Sequence, residues 1–178
     1  MLVNHYNTSD PDRHMFDAVN SGLDRFSWEG QFHRVVDFSL ADGGVAPTYS
    51  QPGDAGMDLT TIESHTFTPA SRKKILRTGV SVVIPQGCVG FVTPRSGLAA
   101  KHNLSILNAP GTIDSGYRGE LMVIAFWHGD GTYYTVNEGD RVAQLVVVPY
   151  VQCKLIEIDD VAALETERGT GKFGSTGK

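Results

Sequence analysis

The chain has 178 residues, 40% of them hydrophobic and 20% charged, which suits one domain with a core large enough to stand unaided. Its net charge of -5 argues against a broad electrostatic grip on nucleic acid, although a few Arg and Lys converging locally still suffice for a small anion. Two cysteines without CxxC spacing, Cys88 and Cys153, argue against a disulfide framework or a thiolate metal site.

They read as free thiols. With no leader-like N-terminus and no apolar stretch of membrane-spanning length, they predict a cytoplasmic protein, nuclear in a eukaryote or in the host cytoplasm if viral. Residues 1–30 stand apart. Asp10-Pro-Asp-Arg13 is a helix start, Met15, Phe16, Val19 and Leu23 form an apolar stripe, and Gly22 is a stop. This predicts one amphipathic helix, with Phe26 and Trp28 as anchors. It serves for packing on the main domain or as an arm for a protein partner.

From Phe32 onward short Val/Ile runs alternate with Gly/Pro turns, which predicts an all-β domain. Strands are expected around Phe32 to Phe38, from Asp54-Ala-Gly-Met-Asp-Leu59 into Ile62, and from Thr78 to Ile84. Pro85-Gln-Gly87 then makes a turn and Cys88 to Val92 is the returning strand. Ser96 reads as the cap of a short helix through Lys101, stopped by Asn103. Asn108 to Glu120 is rich in turn-formers and feeds the apolar run Leu121 to Trp127, so Asp114 and Tyr117 are expected on a hairpin beside a buried strand. Tyr133 to Val136 is a strand, Asn137-Glu-Gly-Asp140 a turn, and Arg141 to Val151 a further strand. The tail from Glu167 to Lys178 is too rich in glycine for regular structure.

Several side chains suit phosphate chemistry. Arg95 and Ser96 open a helix, where free amides favour an anion. Gln144 interrupts an apolar run. Arg168, Lys172, Ser175 and Thr176 lie among glycines, and Phe173 has no core to join there. Asp114 is a carboxylate on a rigid turn, either an ordinary turn residue with Tyr117 covering the core or a group that moves a proton, and the six His residues show no metal-ligand spacing.

Five short segments occur in order: Ala55-Gly-Met-Asp-Leu59, Pro94-Arg-Ser-Gly-Leu-Ala99, Gly111-Thr-Ile-Asp-Ser-Gly-Tyr-Arg-Gly-Glu120, Gly139-Asp-Arg-Val-Ala-Gln-Leu145, and Arg168-Gly-Thr-Gly-Lys-Phe-Gly-Ser-Thr-Gly177. Together they resemble the trimeric dUTPase family, over roughly Phe32 to Gly177. The resemblance implies a jelly-roll-like β domain over residues 31–166 with one short internal helix, and an arm at 167–178 that closes over an active site. It implies a homotrimer with shared sites, Mg2+ as cofactor, and hydrolysis of dUTP to dUMP and pyrophosphate by attack at the α-phosphorus. Such an activity keeps uracil out of DNA and supplies dUMP for dTMP synthesis.

By the same resemblance Asp114 is the general base. Asn108 with Gly111, Thr112 and Ile113 reads uracil, Tyr117 excludes a ribose 2′-OH, and Met122 touches the ligand. Arg95, Ser96, Gly97 and Gln144 contact phosphates. Arg168 binds the terminal phosphate, Phe173 stacks on uracil, and Gly174 and Ser175 contact the substrate beside it. Asp58 is implied in the magnesium shell through water, and Arg141 is structural. Lys172 departs from the glycine of many members. Two alternatives stay open: a dCTP deaminase, or a bifunctional deaminase–dUTPase, of the same fold, and a dUTP-binding regulatory protein acting through residues 1–30.

Overall fold

The computed structural model describes residues 25–26 and 32–164. The expected N-terminal helix, Trp28 and the whole 167–178 arm, including Arg168, Phe173, Gly174 and Ser175, lie outside the described residues. The strands are β1 (Arg25–Phe26), β2 (Phe32–His33), β3 (Asp37–Leu40), β4 (Met57–Thr60), β5 (His65–Phe67), β6 (Lys73–Val83) and β7 (Cys88–Pro94). After helix α1 (Ser96–His102) come β8 (Leu104–Ile106), β9 (Gly111–Ile113), β10 (Glu120–Trp127), β11 (Tyr134–Val136) and β12 (Arg141–Pro149). A 3-10 turn spans Val161–Ala163.

Two four-stranded sheets carry the fold, ordered β3-β6-β10-β8 and β4-β12-β7-β9, and every pairing is antiparallel. Period-2 alternation turns one face of each sheet inward. Leu76, Val80 and Val82 of β6 meet Leu121, Val123, Ala125 and Trp127 of β10 on one side. Leu59, Val92, Ala143 and Leu145 close the other, all in one buried cluster. Each fully buried Leu or Phe contributes about 1.5–3 kcal/mol. The result is the all-β, jelly-roll-like sandwich the sequence predicts, with one short internal helix.

Several local expectations change. Leu121 to Trp127 is apolar throughout, yet only alternate residues are buried and Met122 is exposed. Pro85 to Gly87 does form a turn, with the Cys88 amide donating to the Pro85 carbonyl at 3.0 Å. It does not return the chain as a hairpin, because β6 and β7 belong to different sheets. The same holds for Asn108 to Glu120: β9 pairs with β7 and β10 with β6 and β8, so this segment crosses the sandwich. Ser96 is the first helical residue and not the cap. Arg95 takes the N-cap position without a side-chain cap bond, while Asn103 ends the helix in the left-handed region at φ 55°. β6 begins at Lys73, before Thr78, and β12 stops at Pro149, whose ring removes the donor a ladder needs.

Candidate active site

Two groups of expected site residues lie on the outer face of the β4-β12-β7-β9 sheet. The first centres on Asp58. Register places it opposite Gln144, which in turn faces Thr93. Although it points outward, its side chain is only 4% exposed, because the Thr48–Ser50 loop and two arginines cover it. Oδ1 accepts from Arg95 Nε at 2.9 Å and Gln144 Nε2 at 3.4 Å. Oδ2 accepts from Ser50 Oγ at 2.8 Å and Arg141 Nη1 at 2.9 Å.

Burial opposes ionisation of Asp58. The Ser50 hydrogen bond, the Arg95 charge and the bonds from Arg141 and Arg95 outweigh it, so its carboxyl stays below the ordinary range. One carboxylate answers for two guanidinium groups, and the cluster keeps a surplus of positive charge. Ser96 and Gly97 are exposed at the start of α1, where the leading amides have no side-chain cap. Gly56 leaves room for Gln144: a Cβ there would sit 3.1 Å from the Gln144 Cβ. Cationic donors, helix-start amides and an amide side chain in one place suit a polyphosphate.

The second group surrounds Asp114. β9 lays Gly111, Thr112 and Ile113 against Val92, Phe91 and Gly90. Asn108 reaches back to Gly111, where an added Cβ would lie 3.5 Å from its amide nitrogen. The chain then turns, with the Tyr117 amide donating to the Asp114 carbonyl at 3.0 Å. Tyr117 Oη donates to the Glu120 carbonyl at 2.9 Å. Beside Asp114 lies a pocket of about 300 Å³, lined by Cys88, Val89, Phe91, Thr112, Asp114, Ser115 and Tyr150. That volume is at the lower end for a small-molecule site. No local motif marks Tyr150, Phe91 or Cys88 as pocket residues. Tyr150 is carried in by its amide bond to the Gly87 carbonyl at 3.1 Å, a pairing no local pattern announces.

Within one chain the two groups are not together. Asp114 follows Ile113, which is paired with Gly90, and so lies at the Val89 end of β7. Arg95 lies beyond the other end. At roughly 3.3 Å per residue the separation is about 20 Å. Met122 stands on the other sheet, opposite Arg77. Among the described residues no three His, Cys, Asp or Glu side chains cluster as a metal site. Asp58 is not arranged as a direct metal ligand, since four donors already occupy its two oxygens. No helix among the described residues is long and apolar enough to cross a membrane.

A family model described as dUTPase matches residues 43–177. A deoxyuridine 5'-triphosphate nucleotidohydrolase of Cutibacterium acnes is 50% identical over 143 residues, covering 80% of this chain and 92% of that protein. The structure of the Staphylococcus bacteriophage 80alpha dUTPase with dUPNHPP is similar, with a TM-score of 0.72 and 28% identity over 82% of this chain and 100% of that one. A mutant dUTPase of phage phi11 of S. aureus, whose structure describes coordination of a structural Mg(II) ion, has a TM-score of 0.65 and 28% identity over 72% of this chain and 99% of that one. With a family model spanning most of the sequence and a relative sharing half its aligned residues, this chain belongs to the dUTPase family.

Proposed function

We propose that the protein hydrolyses dUTP to dUMP and pyrophosphate, in the cytoplasm, at sites assembled between copies of a homotrimer. The observation that carries the shared site is the separation of about 20 Å between Asp114 and the Arg95 cluster along β7. The three phosphates of one nucleotide span far less, so one chain cannot offer both groups to the same α-phosphorus. A neighbouring copy supplies the missing half.

In this reading the Asp114 carboxylate takes a proton from the water that attacks the α-phosphorus. Arg95, the amides of Ser96 and Gly97, and Gln144 of another copy hold the phosphate oxygens and the charge that builds on the departing pyrophosphate. Asp58 anchors Arg95 and Arg141, fixing their planes before substrate arrives. Asn108 and the β9 backbone through Gly111, Thr112 and Ile113 read the uracil edge, with Met122 at its margin. Tyr117 bars a 2′-hydroxyl. Arg168, Phe173, Gly174 and Ser175 belong to an arm that excludes water from the closed site. Magnesium, when bound, would be held by substrate phosphate oxygens and water more than by protein side chains, and would offset the phosphate charge.

The test is pyrophosphate release from dUTP, dCTP, dTTP and UTP, for the wild type and Asp114→Asn. The wild type turns over dUTP only. Asp114→Asn binds dUTP by calorimetry but is slower by about 10²–10⁴-fold. Ammonia from dCTP, or near-normal turnover by Asp114→Asn, would contradict the assignment.

A further inference from the structure

Glu120 performs a task outside the phosphate and base-reading roles. The pairing of β10 with β6 slips between Glu120 and Met122, leaving a bulge on β6 at Thr78 to Val80. There the amides of Thr78 and Gly79 donate to Glu120 Oε1 at 3.1 and 2.8 Å. Arg77 donates to Oε2 through Nε at 3.1 Å and Nη2 at 3.0 Å. The carboxylate thus stands in for the missing ladder partner. Burial opposes its ionisation but yields to the Gly79 amide, the Arg77 bond and charge, and the Thr78 amide, which hold its carboxyl below the ordinary range.

The backbone of the same residue receives Tyr117. The phenol donates to the Glu120 carbonyl at 2.9 Å, and its ring lies over Gly119, where any Cβ would collide with it. Among the described residues the other bonds of this loop are internal: the Tyr117 amide to the Asp114 carbonyl, and Arg118 Nη1 to the Ser115 and Tyr117 carbonyls at 2.7 Å. They shape the loop without fixing it to the sheet. Glu120 ties its end to β6, and Tyr117 is 39% exposed.

We propose that Glu120 is a positioning residue for sugar selection: by locking its own backbone to the β6 bulge it sets the height of the Tyr117 ring, and so the exclusion of a 2′-hydroxyl. This rests on the reading of Tyr117 given above. The experiment measures kcat/KM for dUTP and UTP in wild type, Glu120→Ala, Glu120→Gln, Tyr117→Phe, Tyr117→Ala and the Glu120→Ala/Tyr117→Phe pair. Glu120→Ala and Tyr117→Phe each lower the dUTP-to-UTP ratio by roughly tenfold, since loss of a fraction of an ångström in placement is costly. The double variant falls no further, because both changes open one latch. Glu120→Gln, which keeps an acceptor oxygen for the two amides, retains most of the ratio.

Tyr117→Phe disturbs no backbone amide and keeps the test open if Glu120→Ala does not fold. A relaxed ratio in Tyr117→Ala with wild-type ratios in Glu120→Ala and Tyr117→Phe would overturn the role of Glu120 alone. Additive losses in the double variant would do the same. An unchanged ratio in Tyr117→Ala would overturn both readings.

Discussion

Replacing Asp58 by Asn tests the electrostatic anchor of the site with little change of shape. The carboxylate is 4% exposed and accepts from Arg95, Gln144, Ser50 and Arg141. An amide keeps one acceptor oxygen and turns the other position into a donor. The cheaper orientation points the nitrogen toward Ser50 and Arg141. The Ser50 hydroxyl can rotate to accept, and the Arg141 side chain, 53% exposed, can turn to water. Arg95, 24% exposed, keeps its acceptor but loses the opposing charge. The cost should fall below the full penalty of breaking a buried pair, at about 2–3 kcal/mol, which for a chain of this size lowers Tm by roughly 5–10 °C. Thermal unfolding at fixed protein concentration reads this directly. The folded carboxyl is held below its ordinary value, so its stabilisation is present above the ordinary carboxylate range and is lost as pH falls through the folded value. The Tm gap between wild type and variant must therefore close on acidification. A variant within about 2 °C of wild type at neutral pH, or a gap that persists into acid, would refute the reasoning.

His65 has a buried Nε2 without a hydrogen-bond partner among the described residues, and its ring packs edge-on against Phe67. Burial, then the Lys74 charge, push its pKa down against the opposing Glu63 charge, so stability is lost as pH falls from the ordinary His value of about 6.5 toward the lower folded one. His65→Phe removes that part of the acid slope in a plot of Tm against pH; parallel curves would count against it. Gly79 sits at φ +68°, and a Cβ would lie 2.9 Å from the Gly44 Cα. Gly79→Ala should cost more than the 1–2 kcal/mol, roughly, of a left-handed residue alone, measured by urea unfolding. A loss under about 1 kcal/mol would mean the two backbones are not locked together.

The strands were legible because apolar alternation and Gly/Pro punctuation are local signals. Val80 and Val82, or Leu121, Val123 and Ala125, declare one buried face wherever they pair. Sheet membership was not legible. Pro85 to Gly87 and Asp114 to Tyr117 have the residues of hairpin turns, but partner choice is made by the two-sheet core, and both turns carry the chain across it. The site was legible as residue types. The partners of Asp58 were not: a carboxylate after two small residues gives no local sign of Arg95, Arg141 and Ser50, which come to it from 37, 83 and 8 positions away. Tyr150 and Cys88 join the Asp114 pocket through cross-strand pairing that carries no motif.

The shared site can be tested by mixing subunits. On the proposed homotrimer, Asp114→Asn and Arg95→Gln, each purified as an inactive protein, are co-refolded in equal amounts and assayed for pyrophosphate release from dUTP. If each site takes Asp114 from one copy and Arg95 from another, every mixed trimer holds one intact site, and roughly a quarter of wild-type activity returns. If both residues serve a site within one chain, no combination restores a complete site, and activity that stays at the level of the separate variants would contradict the account.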